Sequence, residues 1–139
     1  MNIRDCKLVE LKFVDDGIDG NLTIAESFNE IPFAIKRVYY INNLKNRKAI
    51  RGKHAHKKLE QVLFCINGSF ELNLDDGAHQ ESMILARSNI GVYMAPGIWH
   101  EMRDFSHDCV ILVLASDFFK ESDYIRDHAK FLEFVKGKR

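Results

Sequence analysis

Arg51-Gly52-Lys53-His54-Ala55-His56-Lys57-Lys58-Leu59-Glu60 sets two imidazoles two residues apart in a segment that reads as β-strand. Side chains alternate faces along a strand, so His54 and His56 point the same way, with α-carbons roughly 6.5 to 7 Å apart. Two titratable rings therefore share one surface, and that is an expensive filling for an apolar interior that has no use for them. Glu60 follows four residues after His56. His100 lies far downstream in Pro96-Gly97-Ile98-Trp99-His100, where a Pro-Gly turn and an aromatic neighbour suggest a barrel mouth. Capping that turn by a hydrogen bond is the competing role for His100. His79, His107 and His128 stand in polar, turn-like or helical contexts and read as ordinary surface residues.

Outward from this stretch the chain is a succession of short β-branched and aromatic runs separated by turn residues, the spacing of an all-β sandwich or barrel. The candidate strands are Val9–Val14, Leu22–Glu26, Arg37–Asn42, Arg51–His56, Glu60–Ile66, Ser69–Leu74, His79–Leu85, Gly91–Met94 and Cys109–Ala115. Asn67-Gly68 between two apolar runs predicts a tight hairpin, since both residues take positive φ easily, and Asp76-Gly77 marks the next turn. From about Glu121 the pattern changes. Tyr124, Ile125, Phe131, Leu132 and Val135 recur at helical spacing, predicting one C-terminal α-helix over about residues 121–136, capped by Ser122 or Asp123 and packed outside the barrel. With no repeat, low-complexity tract or linker, residues 1–139 read as a single domain.

Composition narrows the function classes. A chain of 139 residues with 46% apolar content fills one core. Twenty basic and twenty acidic residues balance, with no long block of one sign, so a nucleic-acid surface has no support. Three scattered cysteines, Cys6, Cys65 and Cys109, lack any Cys-x-x-Cys spacing and indicate a reducing compartment, with the last two as core thiols. The N-terminal residues carry no apolar signal core and no apolar run approaches membrane-spanning length, so the expectation is a cytoplasmic protein with no membrane contact.

Two chemistries suit the histidines. In one, His54, His56, Glu60 and His100 ligate a divalent transition metal such as Fe, Mn, Ni or Zn. In the other, the pair acts without metal as general acid and base, which imidazole does well near neutral pH. The spacing alone leaves both open. It resembles the His-x-His-xxx-Glu and downstream His signature of the cupin, or RmlC-like jelly-roll, barrel, with Gly68 and Gly91 near the expected glycine positions.

A longer set of matches is more specific. Ile31-Pro32-Phe33, Ile35-Lys36-Arg37-Val38-Tyr39-Tyr40 and the stretch from Arg51 to Leu63 closely resemble the sugar-nucleotide 3,4-ketoisomerases, small cupins acting on dTDP-4-keto-6-deoxyglucose. The likeness continues through Asn67-Gly68-Ser69, Trp99-His100-Glu101-Met102, Asp104-Phe105-Ser106, Asp108-Cys109-Val110, the run from Leu112 to Asp117, and Ser122-Asp123-Tyr124-Ile125-Arg126, covering about residues 20 to 126.

The resemblance implies an isomerase that moves the carbonyl from C4 to C3 with neither metal nor redox cofactor. The family resemblance assigns His56 as the carbon base and His54 as its partner at the oxygens, with the exchange of these roles as the alternative. A dTDP diphosphate calls for guanidinium forks, so Arg51 and Arg37 are the first choices for its clamp, with Lys53, Lys57 and Lys58 secondary. Tyr39, Tyr40, Tyr93 and Trp99 are candidates to stack on thymine or wall the sugar pocket, although aromatic residues on strands are more often core. Gln61 is a candidate sugar contact. His100 stands where some relatives carry Arg, and Asp19 where Arg or Tyr is expected. His100 resembles the form that makes the galacto epimer, dTDP-3-keto-6-deoxygalactose. The family further implies a homodimer, with N-terminal strands exchanged between subunits, and a place in making 3-amino-3,6-dideoxy sugars for surface polysaccharides. A metal-dependent cupin enzyme and a non-catalytic cupin that senses sugar nucleotides are the competing readings.

Overall fold

In the computed structural model, which describes residues 1–138, these runs become antiparallel strands. They are β1 (Cys6–Glu10), β2 (Lys12–Asp15), β3 (Asn21–Ile24), β4 (Arg37–Ile41), β5 (Arg51–His56), β6 (Gln61–Asn67), β7 (Phe70–Asp75), β8 (Gln80–Leu85), β9 (Ile90–Met94), β10 (Trp99–Arg103), β11 (Val110–Ala115) and β12 (Tyr124–Ile125), followed by helix α1 (His128–Lys136). One sheet has the order β1-β9-β6-β11-β4 and the other β12-β5-β10-β7-β8, while β2 and β3 form a separate ribbon. This is the all-β, jelly-roll arrangement with a C-terminal helix that the sequence predicts.

Side-chain alternation decides what faces the space between the sheets. Leu63 and Cys65 of β6, Phe70, Leu72 and Leu74 of β7, and Ile111 and Val113 of β11 fill the main core. The intervening Val62, Phe64 and Leu114 join a second cluster with Ile31 and Phe33 on the outer face. Strands buried on both faces read as continuous apolar runs, which is why Val62–Cys65 shows no polar alternation. Gly91 lies opposite Phe64, and a Cβ there would stand 2.5 Å from the phenyl ring.

Four expectations need correction. Asn67-Gly68 is not a hairpin turn. β6 pairs with β9 and β11, whereas β7 pairs with β8 and β10, so this dipeptide is the corner at which the chain changes sheet. Asn67 Nδ2 donates to Asp108 O at 2.8 Å and Ser69 N to Ser106 Oγ at 2.9 Å, pinning the corner to the β10–β11 loop instead of folding it back. Asp76-Gly77, by contrast, does close the β7–β8 hairpin. The Val9–Val14 run divides at Leu11, where the chain leaves β9 and begins the ribbon. An unanticipated strand, β10, carries Trp99 and His100. Finally, α1 starts seven residues later than 121, capped by Asp127, whose side chain accepts from Lys130 N. Tyr124 and Ile125 instead pair with the exposed edge of β5, because an open strand edge offers two residues more hydrogen bonding than a free helical turn would. Phe131 and Val135 of α1 then cover Ala55, Trp99 and Ile125 on the outer face. No helix among the described residues is long and apolar enough to cross a membrane.

Candidate active site

The site grows from an irregularity in β5. His100 of β10 stands opposite His54, but the next residue, Glu101, stands opposite Gly52, so Lys53 is an extra residue in the ladder. Gly52 and Lys53 both have positive φ, +84° and +53°. Strict alternation would turn Arg51 away from His54; the added residue brings both to one cavity. A Cβ at Gly52 would lie 2.9 Å from His100 O, so the close approach of β5 and β10 depends on glycine.

His54 and His100 lie on the wall of a cavity of about 460 Å³ between the sheets. Their ring centroids are 4.4 Å apart, and His56 stands one row behind, 4.9 Å from His54 and 4.5 Å from Tyr124. His54 Nδ1 sits 2.9 Å from Gly52 O. A carbonyl accepts, so this nitrogen carries the hydrogen and Nε2 keeps a bare lone pair in the neutral ring. His56 Nδ1 lies 3.1 Å from Asp123 Oδ2 and has the same tautomer by the same reasoning. His54 Nε2, His56 Nε2 and His100 Nδ1 are buried with no hydrogen-bond partner among the described residues.

Burial makes these rings hard to charge. Desolvation lowers the affinity of His54 for a proton, only partly offset by Gly52 O. His56 falls to about 4 through desolvation first and the neighbouring His54 second, with Asp123 acting in the opposite sense. His100, fully enclosed, is driven well below the ordinary imidazole value by burial and then by His54 and His56. All three are neutral near pH 7.

Arg37 and Tyr39 share the inner face of β4 and line the cavity, while Val38 and Tyr40 point outward and are exposed. Tyr40 is therefore not a wall of the pocket. The Tyr39 hydroxyl donates to Gln61 Oε1 at 3.3 Å, and burial raises it to about 12, so it stays protonated. Gln61 is itself buried, behind Tyr39. Arg37 Nε is buried with no partner among the described residues, and its guanidinium lies 5.4 Å over the Tyr39 ring. Arg51 lies on the same wall, with its side chain exposed.

The remaining candidates lie elsewhere. Lys53 occupies the bulge and is exposed, off the cavity wall. Tyr93 faces the outer cluster, donating to Glu60 Oε1 at 2.7 Å. That bond also takes Glu60 away from the histidines, contrary to a four-ligand metal set. Trp99 alternates with His100 and so faces outward, buried beneath α1, its indole N–H donating to Glu101 Oε2 at 2.9 Å. Among the described residues, no three His, Cys, Asp or Glu side chains converge to hold a metal ion.

Four side chains at the site escaped the sequence reading of the pocket. Phe119, Tyr124 and Arg126 line the cavity, and Asp123 bonds to His56. Arg126 stacks over Tyr124 at 4.2 Å and is held by Glu121 through two bonds of 2.8 and 2.9 Å. The helical spacing assigned from Glu121 onward hid Asp123, Tyr124 and Arg126, while Phe119 lies just ahead of that segment. The signal that would have found them is the odd pair Tyr124-Ile125, a good strand pair directly after a polar turn.

Set beside known proteins, residues 4–136 match the family described as FdtA, WxcM-like, C-terminal. The TDP-4-oxo-6-deoxy-alpha-D-glucose-3,4-oxoisomerase of Aneurinibacillus thermoaerophilus is 48% identical over 129 residues, 93% of this chain and 91% of that one. Among solved structures, a variant of the 3,4-ketoisomerase QdtA from Thermoanaerobacterium thermosaccharolyticum, in complex with TDP-4-keto-6-deoxyglucose, superposes with a TM-score of 0.94 at 39% identity, covering 98% of this chain and 97% of that one. A 3,4-ketoisomerase from Helicobacter canadensis gives 0.90 at 46% identity, covering 95% and 98%. The chain belongs to the FdtA family of sugar-nucleotide 3,4-ketoisomerases, enzymes built on the cupin fold.

Proposed function

We propose that this enzyme converts TDP-4-keto-6-deoxyglucose to TDP-3-keto-6-deoxygalactose by metal-free proton transfer through an enediol. The observation that carries the reading is His54: a neutral ring on the cavity wall, its Nδ1–H held by Gly52 O and its Nε2 unoccupied. The substrate follows from the names of the relatives, one of them solved with that sugar nucleotide.

The C4 ketone acidifies the hydrogen on C3. His54 removes it, and the resulting enediol is reprotonated at C4. This exchanges the roles assigned from the sequence, because His54 is on the wall and His56 behind it. The hydroxyl proton must pass from O3 to O4, and Tyr39, protonated and backed by Gln61, is the neutral acid on that wall, with His100 beside His54. Arg37 and Arg51 supply guanidinium forks for the diphosphate, and Arg126, whose Nε and Nη2 are held by Glu121, stands on the same wall.

Stereochemistry follows from the number of carbon bases. In the gluco configuration the hydrogens on C3 and C4 lie on opposite ring faces, and in the galacto configuration on the same face. One base that takes from C3 and returns to C4 works on a single face and yields the galacto product. The new C3 ketone is the group a transaminase would need to install a 3-amino substituent. We further propose a homodimer acting in the cytoplasm, with the β2–β3 ribbon, whose Phe13, Ile18 and Leu22 are exposed, packed on or exchanged with a second copy.

A proton NMR time course in ordinary water with solvent suppression, with chelator-treated enzyme and TDP-4-keto-6-deoxyglucose, tests the reaction. Loss of the C3 proton and a small H4–H5 coupling in the product are expected. A large coupling overturns the galacto assignment. Turnover that needs added Fe, Mn, Ni or Zn overturns the metal-free route, and no turnover under either condition overturns the proposal as a whole.

A further inference from the structure

We propose that Asp123 is the positioning residue of this site: it locks His56 in the Nδ1–H tautomer, and its charge offsets the proton that the His54–His56 pair takes up when C3 is deprotonated. The inference rests on the reaction proposed above. Asp123 is unusually tied down. Besides His56 Nδ1, its carboxylate accepts from Lys58 N at 2.8 Å and Leu59 N at 3.3 Å, and its carbonyl accepts from Lys57 N at 2.9 Å. It immediately precedes β12, which lays Tyr124 against His56. The carboxylate therefore cannot follow a rotating ring; the ring is held to the carboxylate.

A site of buried imidazoles needs such a group. His54 and His56 have ring centroids 4.9 Å apart, and a proton on either one repels a proton on the other. The titratable and charged groups facing His56 are His54 on β5, His100 on β10, Tyr124 on β12 and Asp123 before it, with Arg37 on β4 acting through space. Of these, Asp123 supplies the negative charge. Proton transfer from C3 leaves an imidazolium on the pair and an enediolate on the sugar, and the Asp123 carboxylate adds a second negative charge, bonded to His56, that favours the proton on the pair. Without the carboxylate, the enediolate alone offsets the buried imidazolium.

Asp123→Asn separates this role from mere anchoring. Its side-chain oxygen still accepts from Lys58 N, while its amide N–H faces His56 Nδ1 and favours the opposite tautomer. Long-range proton–nitrogen NMR on histidine-labelled enzyme reads the tautomer without substrate. The expected results are Nδ1–H for His56 in the parent and Nε2–H in the variant, a kcat loss of about a hundredfold or more and a KM change within about threefold. The acid limb of the rate profile moves to lower pH, because removing the carboxylate weakens proton binding by the pair. A thermal melt confirms folding. An Nε2–H tautomer for His56 in the parent, a kcat within about threefold of the parent, or equal losses in binding and turnover with the tautomer unchanged would each overturn the assignment. Failure of the parent to turn over the keto sugar refutes the proposed reaction, yet leaves the tautomer measurement standing on its own.

Discussion

Acidification probes the buried histidines directly, through His56. Its proton affinity falls from an ordinary 6.5 to about 4 on folding. Between those values the unfolded chain binds a proton that the folded chain refuses, so stability falls as the pH drops below 6.5, and the loss is complete once the pH passes below 4. Linkage from these two values gives roughly 2 kcal/mol lost between pH 7 and pH 5, rising to about 3 kcal/mol at pH 4. His54 and His100 shift the same way and add to the slope. Against a typical domain stability of about 5–15 kcal/mol, that is a substantial share. The assay is urea unfolding at pH 7 and pH 5, followed by the fluorescence of Trp99, the one tryptophan, which is buried beneath α1. The comparison protein is His56→Gln, which cannot titrate. Carboxylates other than Asp123 contribute equally to both proteins, so the difference between their pH slopes reports the ring together with its coupling to Asp123 and His54. The parent should lose about 2 kcal/mol more than the variant over this interval. Parallel losses would refute the account of a ring held neutral by burial.

The alternation along β4 predicts that Tyr39→Phe lowers kcat by about tenfold or more with KM nearly unchanged, whereas Tyr40→Ala leaves kcat/KM within about twofold; steady-state kinetics on the keto sugar nucleotide read both, and the reverse pattern would exchange the two faces. Arg37→Lys keeps the charge but loses the planar fork, so KM should rise about tenfold, the equivalent of one charge-assisted bond, with a smaller change in kcat. An unchanged KM would remove Arg37 from the diphosphate clamp. Gly68→Ala places a Cβ against Ser106 Oγ and Asp108 Oδ1 at a φ of +73°, and should cost about 2–4 kcal/mol in urea unfolding; a loss under about 0.5 kcal/mol would show that the corner relaxes freely.

The all-β class and the histidine pair were legible because both depend on period-two alternation, a property of the chain itself. Asn67-Gly68 misled for a physical reason: positive φ suits a sheet-changing corner as well as a hairpin, and the difference lies in distant partners, Ser106 and Asp108, that no local window contains. The same limit explains Tyr124 and Ile125. Their helical spacing with Phe131 is genuine, but the open edge of β5 captured them. Tyr39 and Tyr40 could have been separated in advance by one rule, since whichever tyrosine shares parity with Arg37 faces the arginine's side of the sheet. Arg51 is the opposite case, because parity alone would have placed it away from His54, and only the bulge at Lys53 reconciles them.

That bulge links the two halves of the proposed reaction. Positive φ at Gly52 and Lys53 turns Arg51 into the cavity, where a diphosphate oxygen can meet it, and the same distortion directs Gly52 O to the Nδ1 of His54. One local irregularity thus aims the proposed phosphate grip and sets the tautomer of His54, the proposed carbon base. The base is weak in consequence of its burial, yet a proton α to a ketone does not demand a strong one if the acceptor is fully deprotonated at working pH and already aligned. Burial secures the first condition and the Gly52 carbonyl the second. What burial takes away is tolerance for the positive charge that follows proton transfer, and the carboxylate of Asp123, one ring removed, is where the fold returns it.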